Sequence, residues 1–102
     1  MNKNFKPPTF SVLRQKVADA MKESNAPVSW VETMGDVGYE GGSWISSFVN
    51  SIDDSPTDAD EFVESLHDPI IFFVDDVTSE GFTKKDLSML RLILDNLKGK
   101  IS

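Results

Sequence analysis

Pro69-Ile70-Ile71-Phe72-Phe73-Val74-Asp75-Asp76-Val77 is the stretch on which the fold of this chain turns. Five consecutive apolar residues without alternation, bounded by a proline and an aspartate pair, predict a central strand buried on both faces. Upstream, Val28-Ser29-Trp30-Val31-Glu32-Thr33-Met34 is rich in β-branched and aromatic residues and predicts a second, shorter strand, although its alternation is imperfect.

Helical spacing surrounds these two segments. Thr9 is a good N-cap, and Phe10, Val12, Leu13, Val17, Ala20 and Met21 recur at helical intervals, so a helix is expected from about Thr9 to Ser24. It should stop at Asn25, with Pro27 just beyond, and carry its basic residues largely on the side opposite the apolar one. Gly35, Gly38, Gly41 and Gly42 make 35–42 a loop. Ser43 can cap a helix whose stripe is Trp44, Ile45, Phe48, Val49 and Ile52. Asp53-Asp54-Ser55-Pro56 turns the chain, and Thr57 with Asp60 resembles a capping box for a short helix over 58–67. There Phe62, Val63 and Leu66 face inward, and Asp58, Glu61 and Glu64 outward. Gly81 marks a turn, Thr83 caps, and Leu87, Leu90, Ile93, Leu94 and Leu97 define a final helix with Gly99 as its C′ residue.

The order is therefore α-β-α-α-β-α. It predicts an α+β or small α/β domain spanning 1–102, with three to four helices on a minimal two- to three-stranded sheet and residues 1–8 as a flexible arm. Two strands make a marginal sheet. A third strand could come from 1–8 or 99–102, a partner or second copy could complete an open edge, or the fold could be mostly helical with a short ribbon.

The composition suits one globular core: 102 residues, 39% hydrophobic and 26% charged, with two Trp, seven Phe and one Tyr. There is no cysteine, which excludes disulfides, thiolate metal sites and cysteine nucleophiles and fits a reducing cytosol. Met1 to Pro8 is basic without a following apolar run, so it does not read as a secretory signal. Ile70 to Val74 is far too short to span a bilayer. A cytoplasmic protein is expected.

Charge is segregated along the chain. Residues 1–22 hold five basic side chains against Asp19, residues 23–83 hold fourteen acids and no Lys or Arg, and residues 84–102 hold five basic side chains against Asp86 and Asp95. The three blocks carry +4, −14 and +3, giving the net −7. Solubility alone is served by mixed signs, and a run of one sign repels itself, so the acidic block is a candidate binding face. Helix starts account for part of it, because the dipole favours Asp58, Asp60 and Glu61 in a first turn.

Specific chemistry is thinly represented. The loop Gly35-Asp36-Val37-Gly38-Tyr39-Glu40-Gly41-Gly42 does not match a phosphate-binding spacing, has no lysine after it, and would repel phosphate through Asp36 and Glu40. As a recognition loop it would offer Tyr39, Glu40 and Trp44. Asp53, Ser55, Thr57 and Glu64 fall at the first, third, fifth and twelfth positions of a calcium loop, but Asp58 stands where glycine is required. Asp75 and Asp76 read as solvation of a strand end rather than as a Mg²⁺ or acid–base pair. His67, the sole histidine, is expected near a helix C-terminus and cannot build a zinc site or a triad alone. No enzyme, metal or cofactor is expected.

What remains is a binding protein that neutralises a basic partner, a toxin or nucleic-acid-processing enzyme, by offering carboxylates to its Lys/Arg-lined site. Immunity proteins against nuclease toxins and anti-restriction DNA mimics work in this way. The element order resembles barstar-type inhibitors in outline only, an architectural analogy without a shared motif. The candidate contacts are Asp36, Tyr39, Glu40, Trp44, Asp53, Asp54, Asp58, Glu61 and Glu64. Direct nucleic-acid binding by the acidic segment is disfavoured, no membrane is implied, and a homodimer is compatible. The alternatives are an anti-restriction or anti-host DNA mimic of a phage, and a non-enzymatic adaptor or structural protein whose acids only keep it in solution.

Overall fold

The computed structural model describes residues 5–54 and 56–101. Helix α1 spans Phe10–Glu23, α2 Val28–Gly35, α3 Trp44–Asp53, α4 Ala59–Ser65, α5 His67–Val77 and α6 Leu87–Ile101, with a 3₁₀ turn over Lys84–Asp86 leading into α6. There is no strand among the described residues, so the α+β (or α/β) expectation is overturned. The barstar-type analogy rested on the two strands and falls with them. So does an open sheet edge for a partner to complete.

The segment that decided the reading is helix α5. Ile70, Phe73 and Val74 are fully buried and Val77 partly so, which is the i, i+3, i+4, i+7 stripe of a helix. Ile71 and Phe72 hide that stripe in the sequence because they are apolar without being core: Ile71 is half-buried and Phe72 is exposed. Pro69 is compatible because it is the third residue of α5, inside the first turn, where backbone N–H groups have no intrahelical acceptor. Leu66 alone separates α4 from α5, and its carbonyl accepts from the Ile70 N–H at 3.0 Å. His67 consequently opens a helix rather than closing one, with its Nδ1 2.9 Å from Asp68 Oδ1.

The second expected strand is helix α2. Trp30 and Met34 are buried one turn apart and Val31 is half-buried, so the broken alternation was a helical period. Elsewhere the boundaries follow the sequence closely. Thr9 caps α1, accepting from the Val12 N–H at 3.4 Å, and Asn25 leaves the helix at φ 63°. Thr83 and Asp86 form a reciprocal capping box. At α4 the cap lies one residue later than expected: Asp58 accepts from the Glu61 N–H at 2.8 Å, and Glu61 reaches back to the N–H and hydroxyl of Thr57, both at 2.7 Å. Those two bonds hold the Glu61 carboxyl below its usual pKa. Gly99 does not stop α6, which continues to Ile101.

Helix α1 packs on α2 and α6, α3 on α5, and α4 on α6. The core centres on Trp44, whose ring meets Phe10, Phe48 and Phe73 at 4.9–6.0 Å between centroids, with Trp30, Met34 and Phe62 buried around it. Phe5, within the expected arm, packs against Phe62 at 5.8 Å between centroids, while Lys6 is exposed and residues 1–4 are outside the described residues. Among the described residues no helix is long and apolar enough to cross a membrane.

Candidate binding groove

Arg14 organises an acidic groove of the molecule, and it does so from inside. It is 2% exposed, on the buried side of α1. Its Nε donates to Met34 O at 2.8 Å, Nη2 to Thr33 O at 3.0 Å and Nη1 to Tyr39 O at 2.9 Å. The first two acceptors are carbonyls at the C-terminal end of α2, where Thr33 O also accepts from the Asp36 N–H at 3.3 Å, and a cation complements that end of the helix dipole. The guanidinium also lies 5.1 Å from the Trp44 ring and 5.5 Å from Phe10. Burial pulls its pKa below the ordinary value, against the opposing influence of Asp36, Glu40 and Tyr39. One side chain thus ties α1, the end of α2 and the 36–43 loop together.

The loop is shaped by the same means. Asp36 Oδ1 accepts from Gly38 N–H at 3.0 Å, and the Tyr39 N–H donates to Asp36 O at 2.8 Å. Tyr39 then lays its ring nearly parallel to Trp44, 10° between planes and 6.4 Å between centroids. Ser43 does not cap α3 with its side chain as expected. Asp76, from the last turn of α5, takes that place and accepts from the Trp44 N–H at 3.2 Å. Asp75 similarly accepts from the Phe82 N–H at 2.7 Å. Both carboxylates sit at the unfavourable end of their own helix and are held by N–H groups of neighbouring segments. Gly42 lets the chain pass this point: its φ is 100°, and a Cβ there would lie 2.6 Å from Trp44 Cδ1 and 2.7 Å from Asp76 Oδ2. Trp44 Nε1 is buried without an acceptor among the described residues.

Between α2 and α5 this leaves a groove of about 460 Å³, lined by Glu32, Thr33, Asp36, Tyr39, Asp76 and Val77. Three carboxylates, from α2, the loop and α5, share it. Among the described residues no group of three or more His, Asp or Glu is arranged to hold a metal ion. What such a groove can do is accept a cationic side chain against carboxylates and the face and hydroxyl of a tyrosine.

The sequence-derived contacts divide accordingly. Asp36 and Tyr39 line the groove and Glu40 is exposed beside it. Trp44 is fully buried, so it is a core residue and offers no surface to a partner. Asp53, Asp54, Asp58 and Glu61 lie around the other end of α3, about 14 Å away along its ten residues. There Asp54 and Glu61 border a separate hollow of about 170 Å³ with Thr57 and Ser65. Asp58 and Glu61 are engaged in capping, as above. Glu64 is neutralised: its carboxylate meets Arg91 Nη2 at 2.6 Å and Lys98 Nζ at 2.8 Å, which lowers its pKa to about 2. Glu32 and Asp76 complete the groove; Glu32 was not singled out from the sequence, and Asp76 was expected only to solvate a strand end. Their spacing of 44 residues becomes proximity only once 28–34 and 69–77 are both helices. Comparison with known protein families, with curated proteins and with solved structures finds no match to this chain.

Proposed function

We propose that this protein is a non-enzymatic binding protein that neutralises a basic protein partner, in the manner of an immunity protein for a nuclease toxin. It would present the carboxylates of the α2–α5 groove to that partner's Lys/Arg-lined site. One observation carries the reading. Of the fourteen acids in residues 23–83, Glu23 and Glu64 are the ones that ion-pair with Lys or Arg among the described residues, through Lys100, Arg91 and Lys98. Folding therefore leaves most of the acidic block unneutralised by the basic terminal helices. Self-repulsion on that scale disfavours the compact state, and a cationic partner relieves it.

The test is a titration against the partner captured with tagged protein and identified by mass spectrometry. A basic partner is expected, with affinity that falls steeply as salt rises and falls again when Glu32, Asp36 and Glu40 are changed together to Gln, Asn and Gln. A salt-insensitive association, or self-association untouched by those changes, removes the proposal in favour of an adaptor whose acids serve solubility.

A further inference from the structure

The two most exposed large hydrophobic residues described lie in the segment that carries the acidic groove. Val28 and Val37 are 68% and 57% exposed, more than any other large hydrophobic residue described, and both lie within the thirteen residues from Val28 to Glu40. That segment also carries Glu32, Asp36 and Glu40 and contains no Lys or Arg. Trp30 and Met34 turn inward, so the outer surface of α2 is left to Val28, Ser29 and Glu32, with Val31 half-buried between them. On one flank of α2, Val28 and Val31 form a shallow hollow with Ala26, closed at its far wall by Lys22. On the other flank is the acidic groove, and Glu32 borders both.

We infer that α2 and the following loop form one docking surface of mixed character. Its occupant is a basic protein segment carrying a Lys or Arg close to an exposed aliphatic side chain. The inference rests on the function proposed above and narrows it to a surface and a partner chemistry. Charge complementarity assigns the cation to the Glu32–Asp36–Asp76 flank, and Lys22 keeps it from the opposite one. The aliphatic group covers Val28 and Val31, whose exposure is otherwise unfavourable. A helix is about 10 Å across, so the two side chains stand about 10 Å apart, three residues along a polyproline II segment, whose three-residue turn keeps both on one side. The surface is also held ready. Asn25 fixes the start of α2 with its left-handed turn, and Arg14 clamps Thr33, Met34 and Tyr39, so little ordering remains for binding to impose.

The experiment uses the full chain, labelled with ¹⁵N, and two synthetic peptides: a nonapeptide containing Arg-Pro-Pro-Leu, whose prolines hold the polyproline II form, and hexa-arginine. The mixed peptide is expected to shift the amide signals of Val28, Val31, Glu32, Asp36 and Val37 saturably and to bind more tightly than hexa-arginine. Its affinity should fall at least several-fold in Val28→Ser/Val37→Ser protein, whose spectrum stays that of the folded chain because both side chains are already in solvent. Hexa-arginine should bind that variant and the unaltered protein alike. Equal binding of the mixed peptide by both proteins, or shifts centred on Asp53 to Glu61, overturns this inference while leaving the proposed function standing. Saturable binding of neither peptide overturns both.

Discussion

Replacing Arg14 by methionine tests whether the groove is built from beneath. Methionine approximates the volume and removes the fork, taking from Met34 O and Tyr39 O their Arg14 donors and leaving Thr33 O with the Asp36 N–H alone. A hydrogen bond to a charged group is worth about 1.5–3 kcal/mol, and three are lost together. Against this, the desolvation penalty of an enclosed guanidinium is removed, and exchanging a buried charge for an apolar group can be neutral or even stabilising. The carbonyls decide the outcome, because they stay where the end of α2 puts them and methionine cannot serve them. A net loss of about 3 kcal/mol is expected, a large share of the 5–15 kcal/mol typical of a domain. At this chain length it lowers Tm by roughly 12–24 °C. Arg14→Lys keeps the charge without the planar fork and is expected to cost about 2 kcal/mol, so the two variants order as Met below Lys below Arg. Urea unfolding followed by far-UV circular dichroism and by tryptophan fluorescence measures both, and Trp44, 5.1 Å from the guanidinium, should report the change even in folded protein. A methionine variant as stable as the unaltered chain would refute the reasoning, because the carbonyls would then have other donors and Arg14 would be a packing residue.

Two glycines give opposite expectations. Gly42→Ala places a Cβ at positive φ against Trp44 and Asp76 and should cost about 2–3 kcal/mol, whereas Gly99→Ala, inside α6 with open space around it, should stabilise by about 0.5–1 kcal/mol. Thermal unfolding of the pair checks both signs. Glu64, with its pKa lowered to about 2 by Arg91 and Lys98, contributes stability that is present above the unfolded carboxylate value near 4.5 and is lost as pH falls toward 2. Glu64→Gln should therefore be less stable than the unaltered protein at neutral pH and converge with it at the acid end, as read from urea midpoints across that range. Asp58→Ala removes the cap of α4 and should cost about 1 kcal/mol by the same measurement.

The sequence was legible where apolar and polar residues alternate at one period. In α1, α3 and α6 the stripe stands out against polar neighbours, and the caps at Thr9 and Thr83 fall where residue chemistry puts them. It was illegible in α5 because a run of five apolar residues carries no period at all. Burial on one face of a helix and on two faces of a strand then predict the same letters. In α2 the element is so short that Trp30, Val31 and Met34 fit a ragged strand as readily as a helix. Once these two became helices, the groove between them followed, and Glu32 and Asp76 entered the site. Arg14 was passed over as one of the solvated bases of an amphipathic helix. Its position held a cue, since 13, 14, 17, 18 and 21 form one helical stripe and Arg14 lies on it. A lone arginine on an apolar stripe implies carbonyls gathered to meet it.

The fold also turns a pattern along the chain into a pattern in space. The two basic blocks are the ends of the sequence, yet α1 and α6 pack together, with Lys16 Nζ donating to Lys100 O at 3.2 Å. The two basic helices are therefore neighbours, and of their bases Arg14 and Lys22 also reach the acidic α2 segment, Arg14 from beneath and Lys22 across the hollow it shares with Glu32. At the border the two signs meet in Glu23–Lys100 and in the cluster of Glu64 with Arg91 and Lys98. Border acids and groove acids should consequently respond to different measurements. Neutralising Glu64 removes an attraction within the fold, so it should lower stability and leave association with a basic protein nearly unchanged. Neutralising Glu32 and Asp36 removes repulsion among neighbours together with the attraction of Asp36 for the Arg14 guanidinium, so stability should change little while the association rate falls and loses much of its salt dependence. If both pairs of changes moved stability alone, the acidic block would be a matter of solubility and self-repulsion. If only the groove pair slows association, the segregation of charge is an orienting field with the groove at its negative end.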